Sequence, residues 1–437
     1  MTLTEAAFWT KRFGVVFIVI FSLFLVGITV VLSSKPDIVE EKYQQGDFAC
    51  TETKERFAEN ILTIPSLEIL NDTLDVDDAT DTGKYDDDIP EYVNVYRYTD
   101  LGQKLNAQAE AKILAKLLGF EPDNIIRTAS SSNYLWQDRV SGRNLNINAR
   151  DLNFVFNTDI DVLKEVRSKS DLPTEQNAIT LATNALESLG LLKEAYTEIE
   201  PLTYPIDINA DGSYSEAKSL LEAELIRVDF LRKMPMITLR ADTVGIEATK
   251  RALERRNMTF EESQMVIDDS NIPVLNVQTL ITHQNPLKSN VSVYVGPPNK
   301  QIQVLPSIYK IDYTTWTINP ISCGTYLLIK PSIAVERIKN GEGSIAFINF
   351  ADDEVRTYEP QLVKNFIITD LYLTYYEGQT EQNFLQPVYL FEGIAELENG
   401  KEGDFHIYYP AIDYDLLEDR KILEEPEVED SGGSFLF

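Results

Sequence analysis

The sequence FGVVFIVIFSLFLVGITVVL, residues 13–32, is the longest apolar stretch of the chain; two of its residues are polar and none is charged. At the rise of an α-helix, about 20 residues span about 30 Å, which is the thickness of the hydrocarbon core of a bilayer. Lys11 and Arg12 precede the stretch directly, and positive residues at this end favour a cytoplasmic N-terminus. The sequence therefore predicts a single-pass protein of the cell membrane, with residues 1–12 cytoplasmic, an anchor in the lipid bilayer at residues 13–32 and an extracytoplasmic body.

A cleaved signal peptide is the alternative interpretation of the same stretch. The apolar core of a signal peptide normally has about 7–15 residues and is followed by a cleavage site made of small residues. Here the apolar core is longer, and VLSSKP, residues 31–36, makes a poor cleavage site. The pattern favours an anchor that stays on the chain.

The composition is that of a large acidic protein. The chain of 437 residues has 39 basic and 70 acidic residues, which gives a net charge of −31 and argues against nucleic acid as a partner. Hydrophobic residues make up 43% of the chain, so the part after the apolar stretch can form a core. The two cysteines, Cys50 and Cys323, can form one disulfide, and their spacing does not decide whether they do.

Turn, helix and strand signals divide the rest of the chain. Residues 75–90 are rich in aspartate and poor in apolar side chains, so residues 33–90 are predicted to be an acidic stalk. Helical spacing that ends at Gly119, and again at Gly190, predicts helices that are followed by strand-like runs such as Arg143–Asn148. The predicted fold class is α+β, with an N-terminal transmembrane helix followed by tandem helix-plus-antiparallel-sheet units. The predicted units are residues 91–165, 166–323 and 324–410, and residues 411–437 are predicted to be a disordered acidic tail.

The last unit carries a family resemblance. GTYLLIKPSIAVERIKNGEGSIAFI, residues 324–348, and LYLTYYEGQTEQNFLQPVYLFEG, residues 371–393, resemble the C-terminal part of the YycH/YycI regulatory proteins and the wider PepSY-type, cystatin-like α+β group. The motifs that match are a helix ending in Asn-Gly, a Tyr-Tyr pair and a Leu-Gln-Pro stretch. The resemblance implies a regulator that contacts a membrane sensor kinase or another envelope protein, and it carries over no catalytic residue.

One loop has the spacing of cation ligands. In DINADGSYSE, residues 207–216, oxygen-bearing side chains alternate as in the first half of an EF-hand loop. The candidate calcium ligands are Asp207, Asn209, Asp211 and Ser215. The twelfth position of such a loop should be a glutamate, but here it is Lys218. A β-hairpin with an Asp-Gly turn explains the same residues, so we expect a hairpin, keep calcium as the alternative and predict no other cofactor.

Aromatic strands of the last unit provide the candidate binding surface, because tyrosines combine apolar area with hydrogen-bonding groups. The candidate residues are Tyr372, Tyr375, Tyr376, Tyr389 and Phe391. Core packing between strands is the alternative role for them. A basic cluster near Ile246–Arg256 is either a solvated helix face or a site for an acidic partner.

No catalytic motif is recognisable in the sequence. His283 and His406 are isolated, and there is no metal-binding histidine pair, nucleophile elbow or phosphate-binding glycine loop. The sequence therefore predicts a membrane-anchored extracytoplasmic regulator or scaffold that is not an enzyme and acts by protein–protein contact in the cell envelope. The alternative is an extracytoplasmic module that binds a peptide or another ligand, for example by adding a strand to an exposed sheet edge.

Overall fold

The computed structural model describes residues 38–40, 50, 62, 64–71, 74–80, 83–85, 92–99, 106–126, 133–159, 171–209, 214–241, 246–255, 259–267, 270–350, 360, 362–380, 382–397 and 400–412. Its strands are β1 Ile38–Glu40, β2 Val76–Asp78, β3 Tyr92–Arg97, β4 Asn133–Asp138, β5 Arg143–Asn148, β6 Phe154–Thr158, β7 Leu202–Ile208, β8 Tyr214–Glu216, β9 Leu225–Asp229, β10 Lys233–Arg240, β11 Phe260–Ile267, β12 Ser270–Thr282, β13 Val291–Val295, β14 Ile308–Tyr313, β15 Gly324–Leu327, β16 Ser344–Phe350, β17 Val363–Tyr376, β18 Phe384–Leu397 and β19 Glu402–Pro410. Its α-helices are α1 Ala107–Leu117, α2 Glu175–Ser188, α3 Ile246–Arg255 and α4 Pro331–Lys339.

These strands form two sheets. The larger sheet has 11 strands, in which β1, β11, β12, β17, β18, β19 and β16 are neighbours in that order. In the same sheet β10 pairs with β12, β2 pairs with β17, and β3 pairs with β15 and β18. The smaller sheet has 8 strands in the order β4, β5, β6, β14, β13, β9, β7, β8. The chain therefore leaves the larger sheet after β3, returns to it at β10, leaves it again after β12 and returns at β15.

The helices lie where their apolar faces meet a sheet. In α2 the small side chains of Ala178, Ala182 and Ala185 are buried in one core with strands of the smaller sheet, which lets the helix backbone lie close to the sheet. The helix begins where the Thr174 hydroxyl accepts a hydrogen bond from the N–H of Asn177 (3.4 Å). The residues of α1 belong to the same core, whereas α3 and α4 pack in the core of the larger sheet.

The predicted fold class is wrong. Of the described residues, 44% lie in strands and 16% in helices, so the structure is richest in β-sheet and does not consist of PepSY-like helix-plus-sheet units. Strands from different predicted units share one sheet, because β6 pairs with β14 and β12 pairs with β17. Turn and helix signals act locally, whereas the choice of strand partner depends on contacts between residues far apart in the chain.

The membrane prediction also needs correction. Within the described ranges, no helix is long and apolar enough to cross a membrane. Residues 1–12 and 13–32, on which that prediction depends, lie outside the described residues. We therefore retain neither the transmembrane helix of the predicted fold class nor the predicted localisation in the cell membrane with an extracytoplasmic body.

Parts of the predicted stalk belong to the folded core. Leu74 and Val76 are buried, and β2 pairs in parallel with β17, because these apolar residues interrupt the acidic stretch. Cys50 forms a disulfide with Cys323, which ties the stalk region to the segment before β15. At the other end Ile412 is 2% exposed, so the first residues of the predicted tail are core, and residues 413–437 lie outside the described residues.

Candidate functional site

The predicted calcium loop is a hairpin where it is described. Asp207 lies opposite Ser215 in the antiparallel pair of β7 and β8, and Asp211 lies outside the described residues. An oxygen of the Asp207 side chain accepts from the N–H of Ile208 (3.0 Å), and the Ser215 hydroxyl donates to Asn209 Oδ1 (3.3 Å). Within the described residues, no group of three or more histidine, cysteine or acidic side chains is arranged to hold a metal ion.

The predicted aromatic surface is packed inside the protein. Tyr372, the most exposed of the five residues, is 8% exposed. The hydroxyl of Tyr375 donates to the carbonyl of Asn94 (2.7 Å), and that of Tyr389 donates to the carbonyl of Ile329 (2.6 Å). Tyr376 and Phe391 lie in two core clusters on the two faces of the sheet. Both faces of β17 and β18 are covered here, so these side chains form no exposed groove.

Within the described residues, the strand β10 presents an open edge of the larger sheet. The main-chain N–H of Ala241 donates to the carbonyl of Pro273 on β12 (2.8 Å). Hydrogen-bonded and non-hydrogen-bonded pairs alternate along an antiparallel ladder. Thr238 lies three residues before Ala241 and therefore belongs to a non-hydrogen-bonded pair, so its main-chain N–H and C=O groups face away from β12. The main-chain N–H and C=O groups of Met236 and Arg240 face away from β12 for the same reason. Among the described strands, β12 alone pairs with β10.

The two faces of the sheet at β10 differ in polarity. Ile237 and Leu239 are buried in the core of the larger sheet. On the opposite face the Thr238 hydroxyl donates to Asn276 Oδ1 (2.9 Å), and Asn276 Nδ2 donates to Ser263 Oγ (2.8 Å). This polar ladder runs across β10, β12 and β11 and fixes the register of the edge.

Two ends of the sheets, at β16 and at β4, are covered by neighbouring chain. Beside β16, the N–H of Leu67 donates to the carbonyl of Ile345 (2.7 Å), and the Ser66 hydroxyl accepts from the N–H of Ile345 (3.0 Å). Beside β4, the N–H of Ile126 donates to the carbonyl of Leu135 (2.7 Å). Covered edges do not recruit foreign strands. The end strands β1 and β8 have 3 residues each, whereas β10 has 8, so the edge of β10 is the one we consider as a binding site.

The predicted basic cluster lies on α3, which packs in the core of the larger sheet and contacts β11. Leu253 of α3 belongs to the same core as the apolar residues of β10. Lys250 Nζ lies 3.1 Å from Glu247 Oε1 and 2.8 Å from Glu262 Oε1, so its charge is paired. Arg251 is exposed, and the placement of Arg256 lies outside the described residues. The helix therefore carries one exposed described arginine, Arg251, and one paired lysine on an otherwise acidic protein.

A buried ion pair joins the two sheets at the end of β17. Nη1 of Arg232 donates to Oε1 of Glu377 (2.8 Å), and the two side chains are 11% and 0% exposed. The same nitrogen donates to the carbonyl of Trp316 (2.7 Å), and Trp316 Nε1 donates to the carbonyl of Gly378 (3.0 Å). We call the residues that meet at this point the clasp; they are Arg232, His283, Asn290, Trp316 and Glu377.

Burial dominates the electrostatics of the clasp. It raises the pKa of Glu377 to about 7, although the neighbouring Arg232 guanidinium opposes this shift. Burial also lowers the pKa of His283 to about 4. A carboxyl group that titrates near neutral pH is typical of a general acid or base. Glu377 has no exposed surface, however, so a substrate cannot reach it as the structure stands.

A second polar cluster covers the face of the smaller sheet that is opposite α2. Arg227 donates through Nε to both carboxylate oxygens of Asp229 (3.1 and 3.0 Å), and its guanidinium lies 4.4 Å from the ring centre of Tyr204. Tyr214 on β8 donates to Asn157 Oδ1 (3.2 Å), so the β7–β8 hairpin folds across this face. The charge of Arg227 is thus paired with an acid of the same cluster, so we interpret the cluster as a structural network.

Both cysteines and both histidines make contacts within the folded core. Cys50 and Cys323 are joined in a disulfide. His406 Nε2 lies 3.0 Å from Glu392 Oε1, and His283 is 5% exposed.

Reasoning from the sequence missed the edge position of β10 and the clasp. An isolated signal for the clasp exists, since Glu377 directly follows the apolar end of β17 and Arg232 follows the buried strand β9. Charged residues at the ends of two buried strands favour a buried pair, but sequence alone does not show which two residues meet. The open edge depends on strand order, for which the sequence contains no local signal.

Comparisons with known proteins add little to this geometry. No family model matches the chain, and no curated protein matches it. A solved structure of an uncharacterized protein from Eubacterium rectale is similar, with 13% sequence identity and a TM-score of 0.33 over 80% of this chain and 92% of that chain. A similarity at that TM-score carries no argument about fold or function. The resemblance to the YycH/YycI proteins stays a prediction.

Proposed function

We propose that this protein is a non-catalytic regulator or scaffold that binds an extended segment of a partner protein along the open edge of β10. The observation that carries the proposal is the outward direction of the main-chain groups of Thr238 and its alternate neighbours. Such groups bind an extended peptide by adding it to the sheet as a further strand. The engagement of both histidines and both cysteines in structural contacts supports a non-catalytic role.

Charge favours an acidic segment as the occupant. The strand β10 begins at Lys233 and ends at Arg240, and Arg251 of α3, a helix that packs in the same core, is exposed. In a pair of two copies running antiparallel, the two basic ends of β10 would oppose each other, and like charges across a strand pair are destabilising. A sensor kinase, the partner that the YycH/YycI resemblance implies, is one source of such a segment.

The test starts from a peptide library displayed on phage and selected on the full chain. Peptides that bind are then measured by fluorescence anisotropy against the wild type, Thr238→Pro and Thr238→Val. Proline removes the outward N–H and leaves the bonds to β12 in place, whereas valine keeps that N–H and removes only the side-chain hydroxyl. We expect affinity to fall at least about tenfold in Thr238→Pro, the loss of one or more hydrogen bonds, and to change little in Thr238→Val.

Two results would contradict the proposal. Selected peptides that bind Thr238→Pro as tightly as the wild type would show that the edge of β10 is not used. Selected peptides without enrichment in acidic residues would contradict the predicted charge of the partner. Near-ultraviolet circular dichroism of each variant controls for loss of folding.

A further inference from the structure

The clasp lies where the chain passes between the two sheets. Arg232 is on the segment that joins β9 of the smaller sheet to β10 of the larger one. His283 and Asn290 are on the segment from β12 to β13, and Trp316 is on the segment from β14 to β15. These three crossing segments all contact the end of β17, at Glu377 or Gly378. The clasp therefore joins three segments that run between the two sheets to the end of β17.

The hydrogen bonds at Glu377 define the tautomer of His283. Asn290 Nδ2 donates to the main-chain carbonyl of Glu377 (3.1 Å), and His283 Nδ1 lies 3.3 Å from the same oxygen. Because a carbonyl can only accept, Nδ1 carries the hydrogen, and Nε2 of the neutral ring is an acceptor. His283 Nε2 and Glu377 Oε2 are both buried, and neither has a hydrogen-bond partner in the described part of the chain.

Other charged and titratable groups also face Glu377. They are Arg232, Lys193, Tyr98 and Tyr196. Burial raises the pKa of both tyrosine hydroxyls, so they stay protonated at neutral pH. Arg232 stays a cation throughout this range. Glu377 and His283 are therefore the clasp groups whose charge can change between acidic and neutral pH.

We propose that Glu377 and His283 are opposed proton-linked groups that keep the clasp closed across mildly acidic pH. Burial disfavours the charged form of each group. A proton on Glu377 removes a buried charge and stabilises the closed clasp, whereas a proton on His283 adds a buried charge and destabilises it. As the pH falls, the two effects have opposite signs and offset each other.

The pKa shifts define the pH window. Burial raises the pKa of Glu377 from 4.5 to about 7, so its contribution is complete below pH 4.5 and is lost as the pH rises through about 7. Burial lowers the pKa of His283 from 6.5 to about 4, so its contribution is present above pH 6.5 and is lost as the pH falls through about 4. Between pH 4.5 and 6.5 both groups act, and they act in opposite directions.

The test is amide hydrogen exchange of the full chain as a function of pH. The N–H of Glu377 donates to the carbonyl of Thr282 (2.9 Å), so its exchange, corrected for the intrinsic rate, reports opening of the clasp. The variants are Glu377→Gln and His283→Asn; asparagine keeps a donor near the Nδ1 position. Glu392→Gln is the matched control, because it removes a carboxylate that also lies beside a histidine, away from the clasp.

Opposed groups predict a specific pattern. In the wild type and Glu392→Gln, the opening constant stays nearly constant between pH 4.5 and 6.5. In Glu377→Gln it rises by about tenfold per unit as the pH falls through this window, and in His283→Asn it falls by about tenfold per unit. The proposal would be overturned if the opening constant of the wild type changed about tenfold per pH unit. It would also be overturned if the opening constants of both variants depended on pH as little as that of the wild type.

A measurement on the wild type alone covers variants that fail to fold. In carbon-13 NMR titrations, the Glu377 carboxyl and the His283 ring should titrate with midpoints displaced in opposite directions, to about 7 and about 4. Ordinary midpoints for either group would also overturn the proposal.

Discussion

Gly393 on β18 lies so close to Ile367 on β17 that a Cβ atom at this position would overlap the main-chain carbonyl oxygen of Ile367. The two strands form the centre of the larger sheet, and their register shifts between Ile368 and Asp370. We predict that Gly393→Ala lowers the free energy of unfolding by roughly 3 kcal/mol or more, because the two strands must move apart. Urea unfolding measures the change.

Gly190 provides the matched control for that substitution. It has φ +68°, and a Cβ atom there would have no neighbour within 4 Å. Gly190→Ala should cost only the strain of a left-handed backbone, roughly 1–2 kcal/mol. Equal losses in the two variants would contradict the close contact between Gly393 and Ile367.

Arg227→Ala should destabilise the smaller sheet, because it leaves the carboxylate of Asp229, 1% exposed, without its cation. Breaking a buried pair in this way costs roughly 3–5 kcal/mol. Burial already raises the pKa of Asp229, and removal of Arg227 raises it further, so the loss should shrink as the pH falls and the carboxylate takes up a proton. Urea unfolding at several pH values checks both the size and the direction.

The control for Arg227 is an exposed pair. Lys364 Nζ lies 3.5 Å from Glu396, and the lysine side chain is 66% exposed. Lys364→Ala should change the free energy of unfolding by less than about 1 kcal/mol at any pH, since water screens the pair. A loss in Arg227→Ala as small as in this control would show that the buried network does not stabilise the sheet.

The disulfide between Cys50 and Cys323 closes a loop with a sequence separation of 273. Replacing both residues by serine removes a constraint on the unfolded chain, and we expect a loss of roughly 2–5 kcal/mol. Guanidinium unfolding of the double variant and of the reduced wild type should give the same lower midpoint. An unchanged midpoint in both samples would contradict the contribution of this bond.

Calcium should leave the melting temperature unchanged, because the described side chains of the β7–β8 hairpin bond to each other and to the backbone. Asp207 accepts from the N–H of Ile208, and Asn209 accepts from Ser215. Differential scanning calorimetry with calcium and with a chelator tests this. A rise with calcium that Asp207→Ala abolishes would show that the loop binds the ion after all.

The sequence predicted local structure well where the signal was local. The strand expected at Arg143–Asn148 is β5. The helices expected to end at Gly119 and Gly190 end two residues before these glycines, at Leu117 and Ser188. Both glycines have positive φ, the conformation for which this residue type is favoured at a helix end.

Long-range features of the fold could not be predicted in the same way. The aromatic residues of β17 were candidates for a binding surface, but the packing of Leu62 and Ile64 against that face decides that Tyr372 and Tyr376 are core. Nothing near those tyrosines in the sequence indicates that residues some three hundred positions earlier cover them. The open edge of β10 depends on strand order in the same way, because any strand of this composition can lie at the centre or at the edge.

The most direct test of the central claim is amide-resolved hydrogen exchange of the full chain with and without a selected acidic peptide. The amides of Met236, Thr238 and Arg240 face away from β12, so binding by strand addition should slow their exchange while those of Ile237 and Leu239, already bonded to β12, change little. That alternating protection is the result we predict. Saturating peptide that leaves the exchange of Thr238 unchanged and protects another part of the chain would contradict the proposed function.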